Sequence, residues 1–222
     1  SFDYSPYTEP QPMIDDLKYT AIDRWSFAMT RQEYDDLATQ STSGFGFGYI
    51  TDFTIYLVRI SSPAEAAGMM RGDKIITINN QPASEMLIDS TANNLNQPTN
   101  FGIERFGKPM NINITAQYYS FKVTSSTVVQ SPAGNRVGYL RFDSFTDSAT
   151  DELESAFTYF KGQNIDKLVI DLRYNGGGFI NTASILLDKI GRDFNGELQT
   201  TLAWNDQNSN QNESLYFDSL DP

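Results

Sequence analysis

Neither cysteine nor histidine occurs in the 222 residues. The first absence rules out a disulfide framework and thiolate catalysis. Together they leave no thiolate or imidazole ligand for zinc. A Ser-His-Asp triad is equally impossible, so any hydrolytic base on this chain is a lysine or a carboxylate. Basic residues are scarce: 16 Lys and Arg stand against 28 Asp and Glu, a formal net charge of −12. Such a chain repels the phosphates of nucleic acid and anionic membrane surfaces, and neither is expected as a partner. No apolar run approaches the length of a membrane helix, and no signal peptide is visible. There is no initiator Met, and the opening SFDYSPYTEPQP reads as a linker whose true start lies upstream. Membrane contact is therefore left to an anchor outside this chain.

Apolar residues make up 39 %, enough for one large core or two small ones. Residues 13–43 are predicted helical, with Ile14, Leu17, Ala21 and Ile22 near helical spacing. A second helix over MTRQEYDDLA is capped by Thr30 with Glu33 three residues on. Residues 44–117 read as a small β-rich module. GFGFGY leads into the strand TIYLVRI, and SPAEAAG makes a one-turn helix with Ser62 as cap, Pro63 at its first position, Glu65 closing the capping box and Gly68 as stop. RGD turns into the strand KIITINN. A helix is expected over 84–97, with Ala92 and Leu95 on one face. FGIERFGKPMNINITA reads as a hairpin in which Met110, Ile112, Ile114 and Ala116 share the buried face.

From residue 118 the rhythm changes. RVGYLRF is a strand, and DSATDELESAFTYFKG is an amphipathic helix with Ala149, Leu153, Ala156, Phe157 and Phe160 as its stripe. KLVIDLR is a continuous apolar strand, the pattern expected when helices cover both faces of a parallel sheet. Ile180, Ala183, Leu186, Leu187 and Ile190 mark one more helix, completing an α/β unit. ELQTTLAW and ESLYFD are candidate strands around an Asn-rich loop, and a sheet that stops there looks unfinished. Trp25 and Trp204 are expected in the core, and DELE is expected on a solvated helix face.

Two glycine-rich stretches could carry chemistry. After the strand VIDLRYN come Gly176, Gly177 and Gly178, whose backbone N–H groups lie where ligands bind in open α/β sheets. The spacing fits neither a phosphate loop nor a dinucleotide fingerprint. The guest it would suit is a carbonyl or oxyanion, and the alternative is a tight turn with no ligand. In GFGFGY, the N–H groups of Phe45, Gly46 and Phe47 could form a nest for a peptide carboxylate. The alternative there is a bulge with Phe45 and Phe47 in the core. Asp171 and Arg173 share a strand face and are expected to pair with each other or with neighbours.

Three blocks carry a resemblance. DRWSFAMTRQEYDDLATQSTSGFGFGY, SPAEAAGMMRGDKIITINNQPASEM and VGYLRFDSFTDSATDELESAFTYFKGQNIDKLVIDLRYNGGGF resemble, in order and separation, the C-terminal processing (tail-specific) serine peptidases. The resemblance spans residue 23 to about 190. It implies an α+β multidomain fold: a linker and helical segment over 1–43, a PDZ domain over 44–117, and the start of an α/β (ClpP/crotonase-like) peptidase core over 118–222. It implies that the PDZ domain holds a substrate's C-terminus against Gly44, Phe45, Gly46, Phe47, Ala92 and Leu95. Gly177 or Gly178 would supply an oxyanion N–H. The family often has Asn-Pro-Gly-Gly where this chain has Asn175-Gly176-Gly177-Gly178.

These peptidases use a Ser nucleophile and a Lys base downstream of the glycines. Neither is found before Pro222. Ser184 follows the glycines too closely, and Lys189, five residues on, does not share its helical face. The expectation is therefore the N-terminal part of a serine endopeptidase, inactive alone, with its Ser-Lys dyad outside this chain. A non-catalytic PDZ peptide-binding protein, or pseudo-protease, is the alternative. No metal or cofactor is implied. The resemblance points to a bacterial envelope location, periplasmic or as a lipoprotein facing the periplasm.

Overall fold

A computed structural model describes residues 3, 5–23 and 26–218, without the side chain of Leu37. Trp25, for which a core position was predicted, lies outside the described residues. Two short helices open the chain, α1 (Pro10–Leu17) and α2 (Arg31–Ala38). Helix was expected through 13–43 with a second helix at MTRQEYDDLA; two helices are present, and the described residues between them are not helical. α1 buries none of its residues, and Leu17 and Ile22 are 53 % and 77 % exposed. Without packing, so short a helix does not propagate. α2 restarts at its capping box: the Thr30 N–H donates to the Glu33 carboxylate at 2.7 Å, and the Glu33 N–H to Thr30 Oγ1 at 3.1 Å.

The next elements are β1 (Ser41–Gly44), β2 (Phe47–Tyr49), β3 (Ile55–Val58), α3 (Pro63–Ala66), β4 (Lys74–Ile78), β5 (Gln81–Pro82), α4 (Glu85–Ala92), β6 (Pro98–Arg105), β7 (Lys108–Thr115) and β8 (Gln117–Ser120). β2 and β3 form a hairpin, and a four-stranded sheet runs β5-β4-β6-β7. β1 pairs antiparallel with β8 from Ser41–Ser120 to Gly44–Gln117, bringing the two ends of this stretch together. Phe45, Ile55, Ile78, Ile88, Phe101 and Ile114 share one buried cluster. The predicted alternation along β7 holds for Ile112 and Ile114, which are buried, while Met110 near the hairpin turn is 39 % exposed. Phe106 and Gly107 make that turn, both at positive φ, as a two-residue hairpin connection demands. The predicted cap on α3 forms: Ser62 accepts from the Glu65 N–H at 3.1 Å. Arg105 grips the buried Asp73 with two hydrogen bonds, of 2.6 and 2.7 Å, and donates a third, of 2.7 Å, to the Gly68 carbonyl.

The remainder is α/β: β9 (Thr124–Gln130), β10 (Arg136–Phe142), α5 (Ala149–Gly162), β11 (Lys167–Asp171), α6 (Ile180–Ile190), then the hairpin β12 (Leu198–Leu202) and β13 (Glu213–Tyr216). The sheet order is β11-β10-β9, with β10 parallel to β11 and antiparallel to β9. A second buried cluster joins Phe121, Leu140, Phe142, Leu153, Phe160 and Leu186. Three expectations fail here. β11 is not covered on both faces: it is the last strand of its sheet among the described residues, and Val169 is 45 % exposed. Trp204 is not core but 56 % exposed. DELE is not wholly solvated, because the Glu152 carboxylate accepts from Gln40 Nε2 at 2.6 Å, the Thr124 N–H at 2.9 Å, Thr124 Oγ1 at 2.8 Å and the Val123 N–H at 3.1 Å.

Candidate functional site

β11 ends at Asp171, and the chain turns through Leu172–Phe179 into α6. Arg173 folds back on Asp171, its Nη2 donating at 2.6 Å and its Nε at 2.9 Å, while the Tyr139 hydroxyl donates to the same carboxylate. The guanidinium first, then the Tyr139 hydroxyl, hold the Asp171 carboxyl far below its ordinary range. The pairing foreseen for Asp171 and Arg173 is therefore present, with Tyr139 as a third member.

Asn175 shapes the glycines. Its Nδ2 donates to the Phe142 carbonyl at 3.0 Å, and its Oδ1 accepts the Gly177 N–H at 2.8 Å. Phe145 fixes the far side: its N–H donates to the Gly177 carbonyl at 3.0 Å, and its carbonyl accepts the Phe179 N–H at 2.7 Å. That parallel bridge centres on Gly178, whose own N–H and C=O point away from Phe145. Gly178 adopts φ +139, and a Cβ there would stand 2.2 Å from the Phe145 carbonyl oxygen, so only glycine fits. The structure separates the two glycines singled out by sequence. The Gly177 N–H is engaged by Asn175, whereas the N–H groups of Gly176 and Gly178 have no acceptor among the described residues.

The other loop joins β1 to β2. Phe45 is 3 % exposed, lies over Phe47 with parallel rings 5.7 Å apart, and meets Phe101 edge-on at 5.0 Å. The rings are thus in the core, as one of the two sequence readings had it. The backbone is pinned by its carbonyls: Phe45 O accepts the Ala64 N–H at 2.9 Å, and Gly46 O accepts the Arg59 N–H at 2.8 Å. Gly46 lies against the cap of α3, where a Cβ would meet Ser62 at 2.2 Å. The N–H groups of Phe45 and Gly46 find no acceptor among the described residues. Among the described residues β2 pairs only with β3, and its other edge has no strand partner. Ala92 borders this loop, its Cβ lying 3.9 Å from where a Gly44 Cβ would stand. Leu95 does not share a helical face with it. α4 ends at Ala92, Asn96 takes a positive φ, and Leu95 is 39 % exposed beyond the helix.

Ser184 and Lys189 do not meet. The Ser184 hydroxyl donates to Gln199 Oε1 at 2.8 Å, and Lys189 pairs with Glu154 and lies over the Phe157 ring at 5.8 Å. No group of three carboxylates among the described residues converges as metal ligands would. A cavity of about 320 Å³ lies between β3 and the end of β11, lined by Tyr56, Arg71, Tyr139, Asp171, Arg173 and Tyr174. No role was read from the sequence for Asn175, Phe145 or Tyr174. An Asn directly before glycines was a readable signal for an Asx turn, whereas nothing local marked Phe145.

Comparison with known proteins places these features. Residues 136–217 match the profile of peptidase family S41. A carboxyl-terminal-processing protease of Synechocystis is 25 % identical over 186 residues, covering 78 % of this chain and 44 % of that protein. The carboxy-terminal processing protease CtpB of Bacillus subtilis is 26 % identical over 192 residues, covering 78 % and 38 %. The chloroplastic carboxyl-terminal-processing peptidase 2 of Arabidopsis thaliana is 28 % identical over 139 residues, covering 57 % and 27 %. This chain thus spans less than half the length of these relatives. In fold it is similar to the crystal structure of a putative S41 protease from Bacteroides fragilis, with a TM-score of 0.71 at 20 % identity over 98 % of this chain and 61 % of that one. The glycine loop falls inside the matched segment, and the chain is related to the carboxyl-terminal-processing peptidases of family S41.

Proposed function

We propose that the chain is the N-terminal part of a serine endopeptidase of the C-terminal processing type. Residues 1–43 lead in, residues 44–117 form a PDZ-like module, and residues 118–222 begin the α/β peptidase core. The module holds a protein C-terminus: the terminal carboxylate lies on the N–H groups of Phe45 and Gly46, and the peptide adds as a strand to the open edge of β2 beside Ala92. The core supplies an oxyanion donor from the glycine loop. Gly178 is the better candidate, since the Gly177 N–H already has an acceptor. Unpaired N–H groups aimed at a developing oxyanion stabilise the tetrahedral intermediate of acyl transfer. The nucleophilic Ser and its Lys base lie outside this chain. The observation that carries this reading is Gly178: a glycine at φ +139 that no other residue could replace, its N–H without an acceptor among the described residues, inside the segment that matches a peptidase family.

Ser184 and Lys189 are both engaged elsewhere, and an unactivated hydroxyl is a poor nucleophile at neutral pH. The test is a side-by-side assay of this chain and the longer protein on an unstructured reporter with an apolar C-terminus. Cleavage is expected from the longer protein alone, slowed when the reporter's C-terminus is amidated. Cleavage by the 222-residue chain that disappears in Ser184→Ala would contradict the reading. Binding without cleavage by the longer protein would favour the non-catalytic alternative. The whole protein is proposed to reside in the bacterial envelope, facing the periplasm. No helix among the described residues is long and apolar enough to cross a membrane, so any tether is proposed to lie outside this chain. Cell fractionation that finds the full-length protein in the cytoplasm would overturn the location.

A further inference from the structure

Tyr174 stands immediately before Asn175, the residue whose side chain shapes the glycines. Its ring lies 5.6 Å from the ring of Tyr56 on β3, inclined at 42°. The Arg71 guanidinium lies over the Tyr174 ring, 4.7 Å from its centroid, and Arg71 has no carboxylate partner among the described residues. Tyr56 in turn covers β2: a Cβ on Gly48 would come within 2.8 Å of the Tyr56 ring. Side-chain and backbone contacts therefore run without a gap from β2 through Tyr56 and Tyr174 to Asn175 and the Gly177 N–H. Tyr56, Tyr174 and Arg71 border the cavity of about 320 Å³ rather than a filled core.

We propose that Tyr174 is a positioning residue for the glycine loop, held by Tyr56 and Arg71 so that the placement of β2 and β3 sets the placement of the glycines. The proposal deepens the oxyanion reading above and rests on it for its consequence in catalysis. The physical reason is leverage. Tyr174 and Asn175 are adjacent, so the ring cannot shift without moving the backbone that aims Asn175 Oδ1 at Gly177. Aromatic and cation–π contacts are directional enough to hold that ring in one place.

The test reads the loop itself, by amide hydrogen exchange and chemical shifts of this chain in solution. The Asn175 N–H donates to the Leu172 carbonyl at 3.0 Å and the Gly177 N–H to Asn175 Oδ1 at 2.8 Å, so both report loop opening. Tyr174→Ala is expected to speed exchange at Asn175 and Gly177 by on the order of tenfold or more, with β10 amides unchanged. Tyr174→Phe, which keeps the ring, is expected to restore slow exchange. Gly48→Ala displaces only the far end of the Tyr56 side chain; it is expected to shift the Gly177 and Gly178 amide signals, and to add nothing in the Tyr174→Ala background. Unchanged loop exchange in Tyr174→Ala, or failure of Tyr174→Phe to rescue, overturns the proposal. If Tyr174→Ala also loses β10 protection, Gly48→Ala decides: a silent loop overturns the proposal. Because this readout involves no substrate, it is separable from the oxyanion reading. Normal turnover in the longer protein with a loosened loop would defeat the oxyanion role and leave the positioning intact.

Discussion

Gly176 and Gly178 stand two residues apart and differ sharply in what a side chain would meet. At Gly178 a Cβ comes within 2.2 Å of the Phe145 carbonyl, and φ is +139. Gly178→Ala is therefore expected to cost about 3 kcal/mol or more, from backbone strain and clash together. A Cβ at Gly176 meets nothing within 4 Å, and Gly176→Ala is expected to stay within about 0.5 kcal/mol of the parent. Urea unfolding of the two variants checks the pair, and equal stability would mean the loop is held differently. Asp171 makes a pH prediction. Arg173 and then Tyr139 depress its carboxyl pKa in the folded chain, below the unfolded value of about 4. The contact thus stabilises the fold fully above that value, and the stabilisation fades as pH falls toward the folded pKa. The Arg173 side chain is 64 % exposed, so solvent screening keeps the effect small. Asp171→Asn is expected to flatten the loss of stability on acidification below about pH 4. An unchanged acid profile would show that the ion pair is not formed in solution.

At the scale of elements, α3 shows how little sequence is needed when the determinants are local. Ser62, Pro63, Glu65 and Gly68 spelled out a one-turn helix, and the cap forms as read, because it depends on residues within one turn of each other. One detail differs: Glu65 accepts from the Ser61 N–H at 2.7 Å rather than from the cap residue itself. Ser62→Ala removes the acceptor for the Glu65 N–H and is expected to cost about 1 kcal/mol, seen as a lower thermal midpoint. No loss of stability would mean the helix holds without its cap. Elements whose form depends on distant partners were less legible. KLVIDLR has the apolar run of a strand buried on both faces, yet Val169 is exposed, because the run reports what a strand can bury and not what covers it. α4 was read as continuing to residue 97, but Asn96 leaves the helical region, where a short amide side chain competes for backbone bonds. Of the glycine loop, the free N–H groups were foreseeable. The Asx turn from Asn175 to the Gly177 N–H was readable too, but the Phe145 bridge that leaves Gly178 open was not, since its partner is distant in sequence.

For the molecule as a whole, polar contacts across long sequence separations matter most. Glu152 takes bonds from Gln40, Val123 and Thr124, while Gln40 Oε1 accepts from Thr146 at 2.8 Å and Gln40 Nε2 donates to the Phe121 carbonyl at 2.9 Å. One carboxylate thereby joins the chain leading out of α2 to α5 and the start of β9. Glu152→Ala strands several half-buried donors and is expected to cost about 2–3 kcal/mol; a loss below about 0.5 kcal/mol, the level of an ordinary surface substitution, would argue against that role. Arg59 over the Phe121 ring at 4.5 Å and the Arg141 Nη2 bond of 3.1 Å to the Val58 carbonyl tie β3 and its flank to the α/β part. The central proposal concerns the first part: that residues 44–117 hold a free peptide C-terminus on the N–H groups of Phe45 and Gly46. The most direct measurement titrates this chain with one short apolar-ended peptide in its free-acid and C-terminal amide forms. The acid is expected to bind weakly, at roughly micromolar or poorer, because an extended peptide must be ordered on binding. The amide, which loses the charge and turns donors toward donors, is expected to lose about 1–3 kcal/mol, roughly tenfold or more in affinity. Equal affinity for the two forms would contradict the account and leave Gly44 to Phe47 as an ordinary turn between strands.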